Sequence, residues 1–209
     1  MLTTGRILEG LVTTCDLGGQ PHLAPMGPIV DDEMHTLRLR PFQTSTTFRN
    51  LQRTGEGVLH VTDDVELFAR AAVGKVETLP PMLSAKHVTG WILADACRWY
   101  EFRVTSLDTT QDRSEIIAEV VAQGFQRDFF GFNRAMHAVL ELAILATRVH
   151  LLAPEYLQAE IERLAVPVQK TAGPKETRAF EFLAAHLRNK LAEQTGTESD
   201  GAANSGAGS

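Results

Sequence analysis

Residues 40–51 read RPFQTSTTFRNL, and their reading decides the fold. Just upstream, residues 35–40 alternate polar and apolar side chains, the pattern of a half-buried strand. Pro41 then ends the ladder because it has no N–H to donate. Thr44 or Ser45 is placed to cap a helix that runs to about Arg53, with Phe48 and Leu51 on one face and Gly55 closing it. The opening of such a helix carries spare N–H groups and the positive end of the dipole. Four consecutive hydroxyls, Thr44, Ser45, Thr46 and Thr47, stand there between Arg40 and Arg49. That set of groups suits a bound phosphate, with the two guanidinium groups able to add charge-assisted hydrogen bonds. An ordinary capped helix that binds nothing explains the same residues.

Working outward, the 209 residues are 44% hydrophobic and 22% charged, which describes a globular chain long enough for a sizeable core. A formal net charge of −6 argues against nucleic acid or an anionic membrane surface as partner, since their binders concentrate Lys and Arg. Cys15 and Cys97 are too few for a disulfide framework and read as small buried side chains. The first residues lack the pattern of a secretory signal, and no apolar run reaches the ~18 residues needed to span a bilayer. A cytoplasmic location is the expectation. The seven histidines are scattered, with no HExxH and no Cys/His spacing for zinc, so no metal is expected. GxGxxG, Walker-type and GxSxG signatures are missing too.

Residues 6–15 and 20–30 read as two strands joined by a turn at residues 16–19. Pro21, Pro25 and Pro28 in the second strand point to an edge, a bulge or a bend, and Gly27 removes a side chain where either a bulge or a flat ligand would need room. Residues 57–62 form a further strand. Asp63 is read as the N-cap and Asp64 as a first-turn acid of a short helix over residues 65–72, in preference to a catalytic pair. Residues 74–90, broken by Pro80 and Pro81, read as a loop with one helical turn. Residues 96–107 and 116–124 make a long hairpin in which Trp99 and Tyr100 face opposite ways, so at least one is core. Six or so strands at this spacing predict a closed or partly closed antiparallel barrel over residues 1–125.

Beyond residue 125 the pattern turns helical. Residues 133–150, 154–164 and 175–191 carry three helices that make a C-terminal subdomain over residues 126–191, followed by a Gly- and Ser-rich tail, 192–209, expected to be disordered. Asn133, Arg134, Lys170 and Thr171 are candidates for a substrate pocket, with a cap at Asn133 and a polar turn near Lys170 as the competing reading. His137 is read as a packed helix-face side chain.

The succession LEGLVTTCD, HLAPMGPIV, LRPFQTSTTFRNL, GVLHVTDDVELFARAAV, FNRAMHAVLELAILATR and KTAGPKETRAFEFL resembles the DUF447 family. The resemblance runs to about Lys190. It implies an α+β fold, an FMN-binding split β-barrel with C-terminal helices, related to flavin reductases and pyridoxine-phosphate oxidase. It also implies a homodimer with FMN at the subunit interface. Carried over, Arg40, Pro41, Thr44, Ser45, Thr46, Thr47 and Asn50 become phosphate and ribityl contacts, and Pro25, Met26, Gly27 and Pro28 the wall beside the isoalloxazine. The activity so implied is an FMN-dependent oxidoreductase acting on a small molecule, the alternative being a flavin carrier without turnover. No catalytic side chain is identified.

Overall fold

The computed structural model describes residues 5–203. The chain divides into two compact units: Met1–Asp64 with Val76–Phe130, and Val65–Lys75 with Gly131–Ser209.

The first unit is a curled antiparallel sheet. Its strands are β1 (Arg6–Ile7), β2 (Gly10–Cys15), β3 (Pro21–Met26), β4 (Ile29–Val30), β5 (Thr36–Leu39), β6 (Glu56–Val61), β9 (Arg98–Asp108) and β10 (Glu115–Phe125). A separate two-stranded ribbon pairs β7 (Met82–Ser84) with β8 (Trp91–Leu93). The pairing order of the large sheet is β1-β4-β5-β10-β9-β6-β2-β3. Its two ends belong to one hairpin. β1 runs on into β2 and β3 into β4, with Leu8 N–H bonded to the Pro28 carbonyl at 3.0 Å across the bend. The ladder therefore returns to its start through a hairpin bent in the middle, the split barrel expected from sequence. Among the described residues β3 has β2 as its one strand neighbour in the sheet, and prolines at Pro21 and Pro25 suit such an edge because they need no ladder partner for an N–H.

The barrel interior holds Val12, Val30, Leu37, Leu39, Leu59, Tyr100, Phe102, Ile116 and Ala118. One helix, α1 (Thr46–Thr54), adds Phe48 and Leu51 to that core. Burying each of these two side chains is worth about 1.5–3 kcal/mol, so α1 is held by its apolar face more than by propensity. On the opposite side of the sheet Val58, Val88 and Ile92 pack with Trp99, under the β7–β8 ribbon. That ribbon replaces the loop with one helical turn expected at residues 74–90. Glu101 anchors it, its buried carboxylate accepting from the N–H groups of Lys86 (3.1 Å), His87 (2.6 Å) and Val88 (3.0 Å).

The second unit contains α2 (Val65–Ala72), α3 (Arg134–Ala146), α4 (Pro154–Thr171) and α5 (Pro174–Ala203), with a 3-10 turn at Val149–Leu151. α2 groups with these helices and not with the strands that flank it in sequence, so the division departs from the boundary at residue 125. Glu66 of α2 pairs with Arg178 of α5 at 2.7 Å, and Arg70 lies 5.0 Å over the Phe182 ring. Helix α4 continues past residue 164 and through Pro167, and α5 continues past residue 191. Extending an anchored helix adds one hydrogen bond per residue fixed, which carries α5 into the stretch expected to be disordered. Residues 204–209 of that expected tail lie outside the described residues. No described helix is long and apolar enough to cross a membrane.

Candidate functional site

Two remote elements fix the segment between β5 and α1. The Arg40 carbonyl accepts from Arg113 Nε at 2.7 Å, and the Pro41 carbonyl accepts from the Ser114 N–H at 3.1 Å and its hydroxyl at 2.8 Å. Gln43 donates through its side chain to the carbonyls of Thr109 (3.0 Å) and Gln111 (2.7 Å), so the β9–β10 turn grips residues 40–43. Phe42 is 59% exposed, with the Arg113 guanidinium 5.4 Å above its ring. The chain then turns into α1. Ser45 is extended, at φ −76° and ψ 151°, and its hydroxyl accepts from the Phe48 N–H at 3.1 Å, while Gly55 closes the helix in the left-handed region at φ 68°.

This geometry settles which groups at the helix start are committed. Ser45 Oγ serves the cap, and the first helical bond is Arg49 N–H to the Ser45 carbonyl at 3.2 Å. The N–H groups of Thr46 and Thr47 precede that bond and have no intrahelical acceptor. Thr46 Oγ1 accepts from Arg49 Nη2 at 3.0 Å, drawing that guanidinium back over the first turn. Thr44 is exposed and Thr47 buried. Asn50 is buried with its amide Nδ2 donated to Thr14 Oγ1 of β2 at 3.0 Å, so this group holds α1 to the sheet. Arg40 Nε is buried and has no hydrogen-bond partner among the described residues. An unsatisfied buried donor of this kind is costly, which marks the place where an acceptor would be stabilised.

The Thr14 contact brings in a residue that the sequence reading passed over. His22 of β3 stands opposite Thr14 of β2, and cross-strand partners point to the same face. Its imidazole is half-buried, and burial together with the nearby Arg49 charge lowers its pKa. β2, β3 and α1 contain no Asp or Glu, in a chain whose net charge is −6. Asp16, just beyond β2, is turned to the N–H groups of Gly18 (2.8 Å) and Gln20 (2.9 Å).

The stretch from Pro25 to Pro28 begins three residues further along β3, about 10 Å from His22 at ~3.3 Å per residue. Met26 packs its side chain against the barrel core. A Cβ on Gly27 would lie 2.9 Å from Ile7 Cγ2 and 3.0 Å from both Glu9 carboxylate oxygens, so side chains of the hairpin's own first half occupy that space. This crowding by the hairpin's first half favours a glycine at the bend.

Asp63, Asn133 and Thr171 hold structural contacts. Asp63 forms no N-cap: its carboxylate accepts from Arg127 Nη2 at 2.6 Å, Arg127 Nη1 at 3.0 Å and the Phe130 N–H at 2.9 Å. The Arg127 hydrogen bonds hold its pKa below the usual carboxylate range. Asn133 caps α3, accepting from the N–H groups of Ala135 (2.8 Å) and Met136 (3.1 Å), and donates to the Thr171 carbonyl at 3.0 Å. Thr171 Oγ1 in turn accepts from Ala135 N–H and donates to the Pro167 carbonyl. Lys170 is exposed on α4. Arg134 and His137 line a shallow groove of about 440 Å³ with Glu141, Arg163 and Pro167, and His137 stacks on Phe132 at 6.1 Å. Cys15 and Cys97 are buried free thiols whose pKa values burial raises. No group of three or more His, Cys, Asp or Glu among the described residues is arranged to hold a metal ion.

Solved structures share this architecture. An FMN-bound protein of the DUF447 family from Methanosarcina mazei matches with a TM-score of 0.72 at 24% identity, covering 88% of this chain and 96% of that one. Flavoredoxin from Methanosarcina acetivorans matches with a TM-score of 0.51 at 14% identity, covering 57% and 68% of the two chains. A flavin reductase domain protein from an Arthrobacter species also reaches 0.51, at 15% identity and 60% and 81% coverage. At these identities the likeness speaks for the fold alone. The domain described as the N-terminal domain of the protein of unknown function DUF447 matches residues 8–127, and its C-terminal counterpart matches residues 133–185. With both domains present in order, the chain belongs to the DUF447 family.

Proposed function

We propose that this chain is an FMN-binding flavoprotein whose flavin phosphate is held at the start of α1. The observation that carries the reading is the acid-free opening of that helix. It has two N–H groups without an intrahelical acceptor at Thr46 and Thr47, the Arg49 guanidinium drawn over the first turn, and the buried, unpartnered Nε of Arg40. These residues fit a phosphate: N–H groups at a helix start and guanidinium forks are its preferred partners. Thr44 and Thr46 would add hydroxyl contacts, and β3 leads from this end of the barrel to the backbone at Pro25–Pro28, beside which a flat ring would lie. The FMN bound by the Methanosarcina mazei relative supports the same cofactor here.

When bound, the flavin supplies the redox chemistry, and the protein's part is to bind, orient and exclude water. The reading extends to an oxidoreductase acting on a small molecule, as a homodimer in which a second copy completes the wall around the flavin. A flavin carrier without turnover is the second reading. It is favoured by the lack, among the described residues of β2, β3 and α1, of any carboxylate to pair with His22 as an acid–base couple.

The test compares FMN with riboflavin, which lacks the phosphate. Arg40→Gln is expected to weaken FMN about tenfold or more, the worth of one charge-assisted hydrogen bond, while riboflavin binding is unchanged. Equal weakening of both ligands, or a protein that takes up neither, would defeat the phosphate assignment. Oxidation of NADH or NADPH by the yellow protein separates the enzyme from the carrier.

A further inference from the structure

A half-buried imidazole beside a guanidinium, on strands and a helix that carry no acid, is an arrangement that an anion would relieve. The His22 imidazole makes no hydrogen bond to the described residues, while its backbone lies in the β2–β3 ladder opposite Thr14. β2 and α1 are the elements packed on β3. β2 offers Thr14 and Cys15 beside His22, and α1 offers two charged residues, Arg49 and, a turn on, Arg53. Nothing on these elements compensates a charge on the imidazole. The carboxylate next along the chain, Asp16, is turned to the N–H groups of Gly18 and Gln20.

Resting on the phosphate reading above, we infer that His22 is the proton-linked member of the anion site: the dianionic phosphate monoester of the flavin binds between His22 and Arg49, and His22 takes up a proton from solvent as it does so. Without ligand, burial and then Arg49 hold the imidazole neutral at pH 7. A phosphate dianion reverses the balance, because opposite charge at short range favours the imidazolium. Binding therefore takes up a proton. By linkage, FMN affinity falls as pH rises through the range between the free and bound pKa values of His22. Below about pH 6 the phosphate acquires its own proton, which limits the gain on the acid side.

The experiment measures dissociation constants of FMN and of riboflavin by fluorescence quenching from pH 6.5 to 8.5. Calorimetry at pH 7 in two buffers of different ionisation enthalpy accompanies it. FMN is expected to lose roughly three- to tenfold in affinity relative to riboflavin across that range, with uptake of up to about one proton per FMN and none per riboflavin. His22→Gln should remove both the pH dependence and the proton uptake while keeping a preference for FMN, and His22→Asn repeats the result in a smaller side chain. FMN preferred over riboflavin by a constant factor at every pH, without proton uptake, would overturn the role of His22 and leave the phosphate site standing. FMN and riboflavin bound equally at every pH would overturn both.

Discussion

His60 makes a prediction that reaches the whole barrel unit. It is 0% exposed on β6, where its Nδ1 donates to the Leu11 carbonyl at 3.1 Å and its Nε2 accepts from the Leu93 N–H at 3.1 Å. Both ring nitrogens are satisfied only in the neutral form, since the imidazolium has no acceptor to offer Leu93. Burial lowers its pKa from 6.5 to about 4, against a smaller opposing effect of the Leu11 bond. The unfolded chain therefore takes up this proton first. The contribution of His60 is complete above pH 6.5 and drains as the pH falls toward 4, at about 1.4 kcal/mol per pH unit. Lowering the pH from 6.5 to 4.5 should thus cost about 2 kcal/mol through this one residue, because the slope is only half developed at pH 6.5. His22 and His186, whose pKa values are also lowered, add slopes of the same sign. Subtracting the stability of His60→Gln at each pH cancels them. The assay is urea unfolding of both proteins from pH 4.5 to 7.5, with the His60 ring proton followed by NMR. A difference curve that is flat over that range, or a His60 resonance titrating near 6.5, would refute the argument.

Two further outcomes follow from close packing and from charge. Gly10→Ala would place a Cβ 2.5 Å from the backbone carbonyl of His60, which cannot swing aside, so a loss of about 2 kcal/mol in urea unfolding is expected. A loss under about 0.5 kcal/mol would show that β2 and β6 yield more easily than close packing allows. Asp63→Asn should cost about 1–3 kcal/mol by leaving Arg127 without its main partner. Because the Asp63 pKa is lowered in the fold, its stabilisation is present above the ordinary carboxylate pKa and lost below it. Acid unfolding of the variant, followed by circular dichroism, should accordingly be less steep than that of the parent below about pH 4.

Local chemistry made much of this legible in the sequence. The cap at Ser45, the left-handed Gly55, the limits of α2 and the cap at Asn133 each depend on a few neighbouring residues, and the structure has them where the pattern placed them. Of Trp99 and Tyr100, it is Tyr100 that joins the barrel core. The failures are long-range. Asp63 looks like a cap until Arg127, 64 positions away, takes its carboxylate. The run MLS at β7 is too short for an alternation signal, and what organises it is the Glu101 carboxylate below the ribbon. At the candidate site the hydroxyls and arginines were readable from the helix start. His22 was not, since its relevance comes from the register that sets it against Thr14 and from the Asn50 bond that brings α1 alongside.

The bent hairpin that completes the barrel also decides where the barrel is thinnest. β4 joins β5 through two facing pairs alone, Ile29 with Arg38 and Val30 with Leu37, whereas β9 and β10 are paired along nearly their full length. A ring opens at its shortest seam. Parting β4 from β5 would unroll the wall into a sheet with bare rims while leaving the long hairpin, α1 and the hold of the β9–β10 turn on residues 40–43 untouched. The barrel thus carries a built-in gap whose closure depends on four residues, the last of them only two positions before Arg40.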